Sequence, residues 1–192
     1  MSGYRLVWIA ILAAVFSSST LLSQTAQAQP KGQWTGSATC TLKTTGPNYS
    51  DLQIHTWRIG YPPFVTTSGA FTYYRYTWTV TGGGGNSTST WQINGGSKIT
   101  GYFQTHVDPN GKLHFAQGST GLDPFGIRLS SFPFRYNVFE TDFPAIVVPA
   151  TPHLHILQGR TKRPIVVNGP VGYQQPGGST TKKTCSWSFR LQ

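Results

Sequence analysis

Residues 34–42 read WTGSATCTL, with apolar or small residues at the even positions and threonine or serine at the odd positions. Residues 185–191 read CSWSFRL and alternate in the same way, with their apolar residues at the odd positions. A period of two is typical of a β-strand that buries one face. Cys40 and Cys185 each fall on the apolar side of their stretch. The two stretches therefore predict neighbouring strands that are joined by a disulfide inside an all-β protein.

The rest of the chain supports this fold class, because the period of two recurs and no long stretch has a helical period. We predict further strands at 53–59, 71–81, 87–93, 101–107, 112–117, 145–148, 153–158 and 164–167. The glycine-rich stretch Gly82–Asn86 is predicted to be a flexible loop. Together these patterns predict a single-domain antiparallel β-sandwich of about eight to ten short strands, with a closed lipocalin-like β-barrel as the alternative.

One sequence motif supports the barrel alternative. Gly32-Gln33-Trp34 resembles the G-x-W motif of lipocalin-like barrels. In that family the tryptophan closes the floor of the barrel beneath a basic residue from near the C terminus, so the resemblance implies that Arg190 covers Trp34. A barrel of this kind would bind a small apolar molecule in a cavity. Its predicted lining is Trp34, Tyr74, Tyr76 and Trp78.

The N-terminal part of the chain predicts export. Arg5 gives a basic start, residues 6–16 form an apolar run, and Ala26-Gln27-Ala28 fits the small-x-small pattern of a signal-peptidase site. The apolar run is shorter than the ~20 residues that a membrane-spanning helix needs. We therefore expect a helical, cleavable signal peptide at 1–28 and one secreted domain at 29–192. That domain would be periplasmic or extracellular, with no integral membrane segment after cleavage.

Asp108-Pro109-Asn110-Gly111 predicts a β-hairpin. Asp and Pro suit the first two positions of a type I turn, and Gly111 supplies the positive φ that follows it. With Asp108 opposite Lys112, the register places His106 opposite His114. Both histidines are then expected on the outer face of the hairpin.

Catalytic chemistry has little support in the sequence. The acids Glu140 and Asp142 lie close enough in sequence to act as a glycosidase pair, which leaves a hydrolase as a third alternative. No G-x-S-x-G motif marks a serine nucleophile. The hairpin histidines together with His153 and His155 would form a metal site only if their strands met. We predict no enzymatic activity, no metal and no cofactor.

Composition points to a binding role. The chain has a formal net charge of +10 and only five acidic residues, which favours attraction to polyanions. Residues 160–163 (RTKR) are its one compact basic run. We do not expect nucleic acid to be the partner of an exported domain, whereas acidic polymers of the cell surface are accessible to it.

Exposed aromatic side chains on strands suit stacking against sugar rings, so carbohydrate is the first ligand class to consider. The outward candidates are Tyr61, Tyr73 and Arg75. The sequence thus predicts an exported, non-catalytic β-domain that binds carbohydrate or an anionic polymer at the cell envelope or in the extracellular space. An accessory role in the envelope is included in this prediction.

Overall fold

The computed structural model describes residues 32–60, 65–118, 141–167 and 178–192. The predicted signal peptide, Tyr61 and Glu140 lie outside these residues. Within them the chain forms strands and turns without any helix, which confirms the all-β prediction. The described residues accordingly contain no helix that is long and apolar enough to cross a membrane.

The described residues form ten strands. They are β1 (Trp34–Gly46), β2 (Tyr49–Ile59), β3 (Val65–Ser68), β4 (Phe71–Asn86), β5 (Thr90–Val107), β6 (Lys112–Gln117), β7 (Ile146–Pro149), β8 (Ile156–Arg160), β9 (Ile165–Val167) and β10 (Thr180–Leu191). All pairings are antiparallel, in the order β7-β6-β5-β4-β2-β1-β10-β8, with β3 beside β4 and β9 beside β10. Residues 90–93 of the predicted strand 87–93 and the whole of the predicted strand 101–107 belong to the single strand β5, whereas residues 87–89 precede it without strand structure.

This sheet curls until distant strands touch. Four strands stand between β6 and β10 in the sheet order, so a flat sheet would separate them by about 24 Å at ~4.8 Å per strand. The ring centroids of Phe115 on β6 and Phe189 on β10 are nevertheless 4.6 Å apart. A register shift between β4 and β5 at Tyr76/Thr77 is the kind of irregularity that bends a sheet.

The concave face of the curled sheet holds the core. Alternate residues of β1, β4 and β10 point into it, as the period of two predicts. Trp34, Tyr74, Tyr76 and Trp78 are all buried there. The ring of Phe115 contacts those of Trp34 and Tyr74, at centroid distances of 6.2 and 6.5 Å. Aromatic rings thus pack directly on one another across the interior at the positions predicted to line a cavity.

The predicted disulfide is present. β1 and β10 pair antiparallel with Cys40 directly opposite Cys185, and the two Cα atoms are 4.0 Å apart. Both cysteines are buried. A disulfide of this kind is typical of proteins that fold in an oxidising, non-cytoplasmic compartment.

Arg190 does not cover Trp34. Trp34 points into the core opposite Leu191, whereas Arg190 is exposed on the outer face opposite Thr35. Successive residues of a strand point to opposite faces, so this register keeps the two side chains apart. The contact that the G-x-W resemblance implies is therefore absent.

The prediction of a flexible loop at Gly82–Asn86 is wrong, because this stretch forms the last five residues of β4. It pairs with β2 on one side and with β5 on the other. A Cβ on Gly84 would overlap the Cβ of Asp51, and one on Gly82 would overlap the backbone oxygen of Leu52. The glycines are present because neighbouring strands leave no room for side chains, and this is a different reason from flexibility.

The predicted hairpin is confirmed in its register. His106 lies opposite His114, and the N–H of Asp108 donates to the carbonyl of Lys112 at 2.9 Å. Gly111 has a φ of +72°, as the turn requires. The Asp108 carboxylate also accepts the N–H groups of Asn110 and Lys112, each at 2.9 Å, which fixes the turn.

Candidate functional site

A row of five rings crosses the outer face of β4, β5 and β6; we call it the aromatic row. Tyr102 and Tyr73 meet edge to face at 5.1 Å, and Tyr73 and Phe71 are 6.3 Å apart between ring centroids. Phe71 is 4.8 Å from His106, which stacks on His114 at 4.6 Å. Each ring therefore contacts the next, and the rings form one continuous strip.

The strip follows from strand geometry. Phe71 and Tyr73 are two residues apart on β4 and so share a face, while the paired strands β5 and β6 bring the other rings alongside. Phe71, Tyr73, His106 and His114 are partly exposed, whereas Tyr102 is buried at its end of the row, where Gly118 packs against its ring. The four partly exposed rings leave part of their surface to the solvent.

Two of the three predicted ligand-binding residues belong to this region. Tyr73 is a member of the aromatic row, and Arg75 lies directly opposite Tyr102 on the same face. Tyr61 lies outside the described residues. The sequence missed Phe71 and Tyr102 as neighbours of Tyr73. Phe71 was detectable from its spacing of two, but Tyr102 required the register between β4 and β5.

One end of the row carries a defined charge pattern. Nε2 of His114 is 2.9 Å from the carboxylate of Asp108. This hydrogen bond is the main reason that the pKa of Asp108 lies below its ordinary value, and the N–H of Lys112 adds to it. Partial burial lowers the pKa of His106, the charge of His114 lowers it further, and Asp108 opposes both. A carboxylate and two imidazoles thus supply hydrogen-bonding groups beside the rings.

A second polar cluster lies inside the curled sheet, around the buried carboxylate of Asp51. Asp51 accepts hydrogen bonds from the N–H of Thr44 at 3.2 Å, the hydroxyl of Tyr49 at 3.1 Å and the amide of Gln53 at 3.3 Å. The hydroxyl of Tyr49 in turn accepts the indole N–H of Trp91 at 3.3 Å. Both oxygens of the buried carboxyl group therefore have hydrogen-bond partners, as burial of such a polar group requires.

His55 continues this buried chain of hydrogen bonds. Its Nδ1 accepts the indole N–H of Trp78 at 3.2 Å, so its Nε2 carries the proton and donates to Gln53 at 3.0 Å. Burial lowers the pKa of His55 to about 4, and the charge of Lys183 contributes. Gln53 separates His55 from Asp51. These contacts make the cluster a structural network rather than an exposed acid–base pair.

The acids proposed for the hydrolase alternative are only partly described. Asp142 is exposed, and its backbone oxygen accepts a hydrogen bond from Nζ of Lys183 at 2.6 Å. Burial lowers the pKa of Lys183, and the charge of Asp142 opposes this. Glu140 lies outside the described residues.

The histidines are distributed over separate places. His153 and His155 are exposed and precede β8, although they were predicted to lie on a strand. His106 and His114 belong to the aromatic row. Within residues 32–60, 65–118, 141–167 and 178–192, no three His, Cys, Asp or Glu side chains are grouped so that they could hold a metal ion.

The chain matches no protein-family model, no curated protein and no solved structure at a significant level. Of the sites described, the aromatic row is the one that is both accessible and chemically distinctive. The buried network around Asp51 and His55 has its donors and acceptors already paired within the protein.

Proposed function

We propose that this protein is an exported, non-catalytic binding domain that recognises carbohydrate through the aromatic row at the cell envelope or in the extracellular space. The observation that supports this proposal is the continuous strip of contacting rings on the outer face, with adjacent centroids 4.6 to 6.3 Å apart. Sugar rings present apolar C–H faces that stack on aromatic rings, and their hydroxyls bind to polar groups at the edge.

The surroundings of the row suit such a ligand. Arg75 lies at the Tyr102 end, and Asp108 with His114 lies at the other end, so donors and acceptors flank the rings. The rings are held by strand pairing and by one another, so little side-chain freedom is lost when a ligand binds. The rings inside the sheet contact each other instead, which favours the outer face over a small-molecule cavity.

A glycan array followed by calorimetry on the best ligand tests the proposal. We expect Tyr73→Ala to weaken binding by about fivefold, since a stacking contact is worth on the order of 1 kcal/mol. Thr79→Ala is the matched control, because Thr79 is a partly buried residue of the same strand outside the aromatic row. It should leave the affinity unchanged, and both variants should keep the wild-type melting temperature to within a few degrees.

Two results would overturn the proposal. One is a wild-type protein that binds no glycan on the array. The other is a glycan ligand whose affinity is the same for wild type and for Tyr73→Ala. A Phe71→Ala variant provides the second test, because Phe71 lies between Tyr73 and His106 in the row.

A further inference from the structure

A second outer surface, formed by β1 and β10, presents a regular ladder of hydroxyl groups. Three cross-strand pairs make up this hydroxyl ladder: Ser37–Ser188, Thr39–Ser186 and Thr41–Thr184. All six side chains point away from the core, since the residues between them carry the buried face. The ladder continues across β2, where the hydroxyl of Thr56 lies 3.3 Å from that of Thr39.

The outer surface beside the ladder is locally indented. Two shallow depressions of about 430 and 540 Å³ lie along β1, β10 and β8. Thr39, Ser186 and Arg160 line both of them, so the depressions adjoin and form one groove, which we call the ladder groove. An extended chain, rather than a compact small molecule, fits an open groove of this shape.

The basic run 160–163 borders the ladder groove. Arg160 and Lys162 line it and are exposed. Thr161, between them, is fixed to β10: its N–H donates to the carbonyl of Cys185 at 2.8 Å, and its hydroxyl accepts the N–H of Cys185 at 3.0 Å. The two cationic side chains therefore project from a backbone that is tied to the disulfide strand.

The ladder ends in a pair of like charges. Lys43 and Lys182 lie directly opposite each other on β1 and β10, and both are exposed. Like charges directly opposite each other destabilise a sheet. An anionic group bound between the two ammonium groups would be attracted by both and would offset their mutual repulsion.

Among the described residues, no carboxylate lines the ladder groove. The acids in the described residues are Asp51, Asp108 and Asp142. Asp51 is buried in the interior, Asp108 is paired with His114 in the hairpin, and Asp142 lies near Lys183. The positive potential along the ladder is thus not cancelled by acids within the described part of the lining.

We propose that the ladder groove binds an acidic polysaccharide, meaning a sugar polymer that carries carboxylate or sulfate groups. The hydroxyl ladder matches the hydroxyls of the polymer, and Arg160 with Lys162 and the Lys43–Lys182 pair matches its anions. This site stands apart from the aromatic row and does not depend on the function proposed for it. A nucleic acid would use the same cations, but it would leave the ladder of hydroxyls unexplained.

Biolayer interferometry with heparin, alginate, neutral dextran and duplex DNA tests this site. Wild type should bind heparin or alginate with an affinity that falls as salt is added. The ladder groove should not bind dextran, which carries no anionic groups. Arg160→Gln should weaken the acidic polysaccharide by about tenfold, which corresponds to the loss of one charge-assisted contact. Lys112→Gln, which removes one charge at an exposed position outside the groove, should change the affinity less than twofold.

Lys43→Gln supplies a test that folding defects cannot imitate. It should weaken binding while leaving the melting temperature unchanged or raised, because it removes the repulsion with Lys182. Equal losses in Arg160→Gln and Lys112→Gln would indicate diffuse charge attraction and overturn the proposal. Absence of binding by wild type, or tighter binding to DNA than to both acidic polysaccharides, would also overturn it. Tyr73→Ala should leave binding of the acidic polysaccharide unchanged, so the proposals for the two sites are tested independently.

Discussion

The indole Nε1 of Trp78 lies 3.2 Å from Nδ1 of His55 and donates a hydrogen bond to it. An Nδ1 that accepts a hydrogen bond cannot itself carry a proton, so this contact holds His55 in its neutral form with the proton on Nε2. Protonation would place an N–H against the N–H of Trp78 in a buried site. The relationship between these two side chains therefore ties the stability of the core to pH.

We expect the free energy of unfolding to fall between pH 6.5 and pH 4 because of His55. Its pKa is about 4 in the folded protein, against an ordinary value of 6.5. In this range the unfolded state binds the proton and the folded state does not, so acid favours unfolding. The loss amounts to about 3 kcal/mol, since one pKa unit corresponds to ~1.4 kcal/mol. Urea denaturation at a series of pH values measures it.

His55→Gln should lack this part of the pH dependence, and His153→Gln should retain it. His153 is an exposed histidine, which makes it the matched control. The comparison uses the slope of the free energy of unfolding against pH, because the destabilisation that the substitution itself causes does not change that slope. Parallel curves for wild type and His55→Gln would show that the buried imidazole is not the group responsible.

Asp51→Asn should destabilise the protein by about 2–3 kcal/mol. The carboxylate accepts three hydrogen bonds, from Thr44, Tyr49 and Gln53. An asparagine would turn one acceptor oxygen into a donor that faces another donor in a buried site. Chemical denaturation measures the change, and Asp142→Asn, at an exposed acid, should alter stability by less than about 0.5 kcal/mol. Equal stability of the two variants would contradict this account.

Reduction of the Cys40–Cys185 disulfide should lower stability by roughly 5 kcal/mol in the loop-entropy model. The bond closes a loop between cysteines 145 positions apart, so its loss frees a large part of the unfolded chain. Melting curves with and without reductant measure the effect. A Cys40→Ala/Cys185→Ala variant should show the lower stability without reductant and no further change with it. An unchanged melting temperature of the reduced protein would refute this prediction.

Gly84→Ala should cost about 3 kcal/mol or prevent folding, because overpacking against a neighbouring backbone cannot relax. The new Cβ would overlap the Cβ of Asp51 on the paired strand β2. Gly69→Ala is the control, since no atom lies within 4 Å of its Cβ position and its φ of +58° gives the only penalty. That penalty is about 1 kcal/mol. Equal effects at the two positions would indicate that conformational entropy, and not space, explains Gly84.

Local chemistry made part of this structure predictable. The Asp108–Gly111 turn sets its own register, so the pairing of His106 with His114 followed from adjacent residues. The cysteines fell on the apolar faces of two alternating stretches, and this was enough to pair β1 with β10. In each case the residue pattern that makes the prediction lies within a few residues of the turn or the cysteine that it concerns.

The remaining features depend on partners that are distant in sequence. Gly82–Asn86 has the composition of a loop, and only the close approach of β2 and β5 explains why it is a strand. Tyr102 joins Tyr73 through the register of β4 with β5, which includes irregularities that no local pattern marks. The hydroxyl ladder likewise needs the β1–β10 register, while the basic run 160–163 gains its position from Thr161.

The covalent link between β1 and β10 also determines how the molecule would bear mechanical load. A pull on the two ends of the polypeptide would pass from Cys40 to Cys185 through the sulfur atoms and bypass the residues between them. Only the segments outside the two cysteines would extend, while the aromatic row on β4, β5 and β6 would lie in the unstretched part. A load applied between the two ends of the chain would therefore leave the aromatic row in its folded geometry.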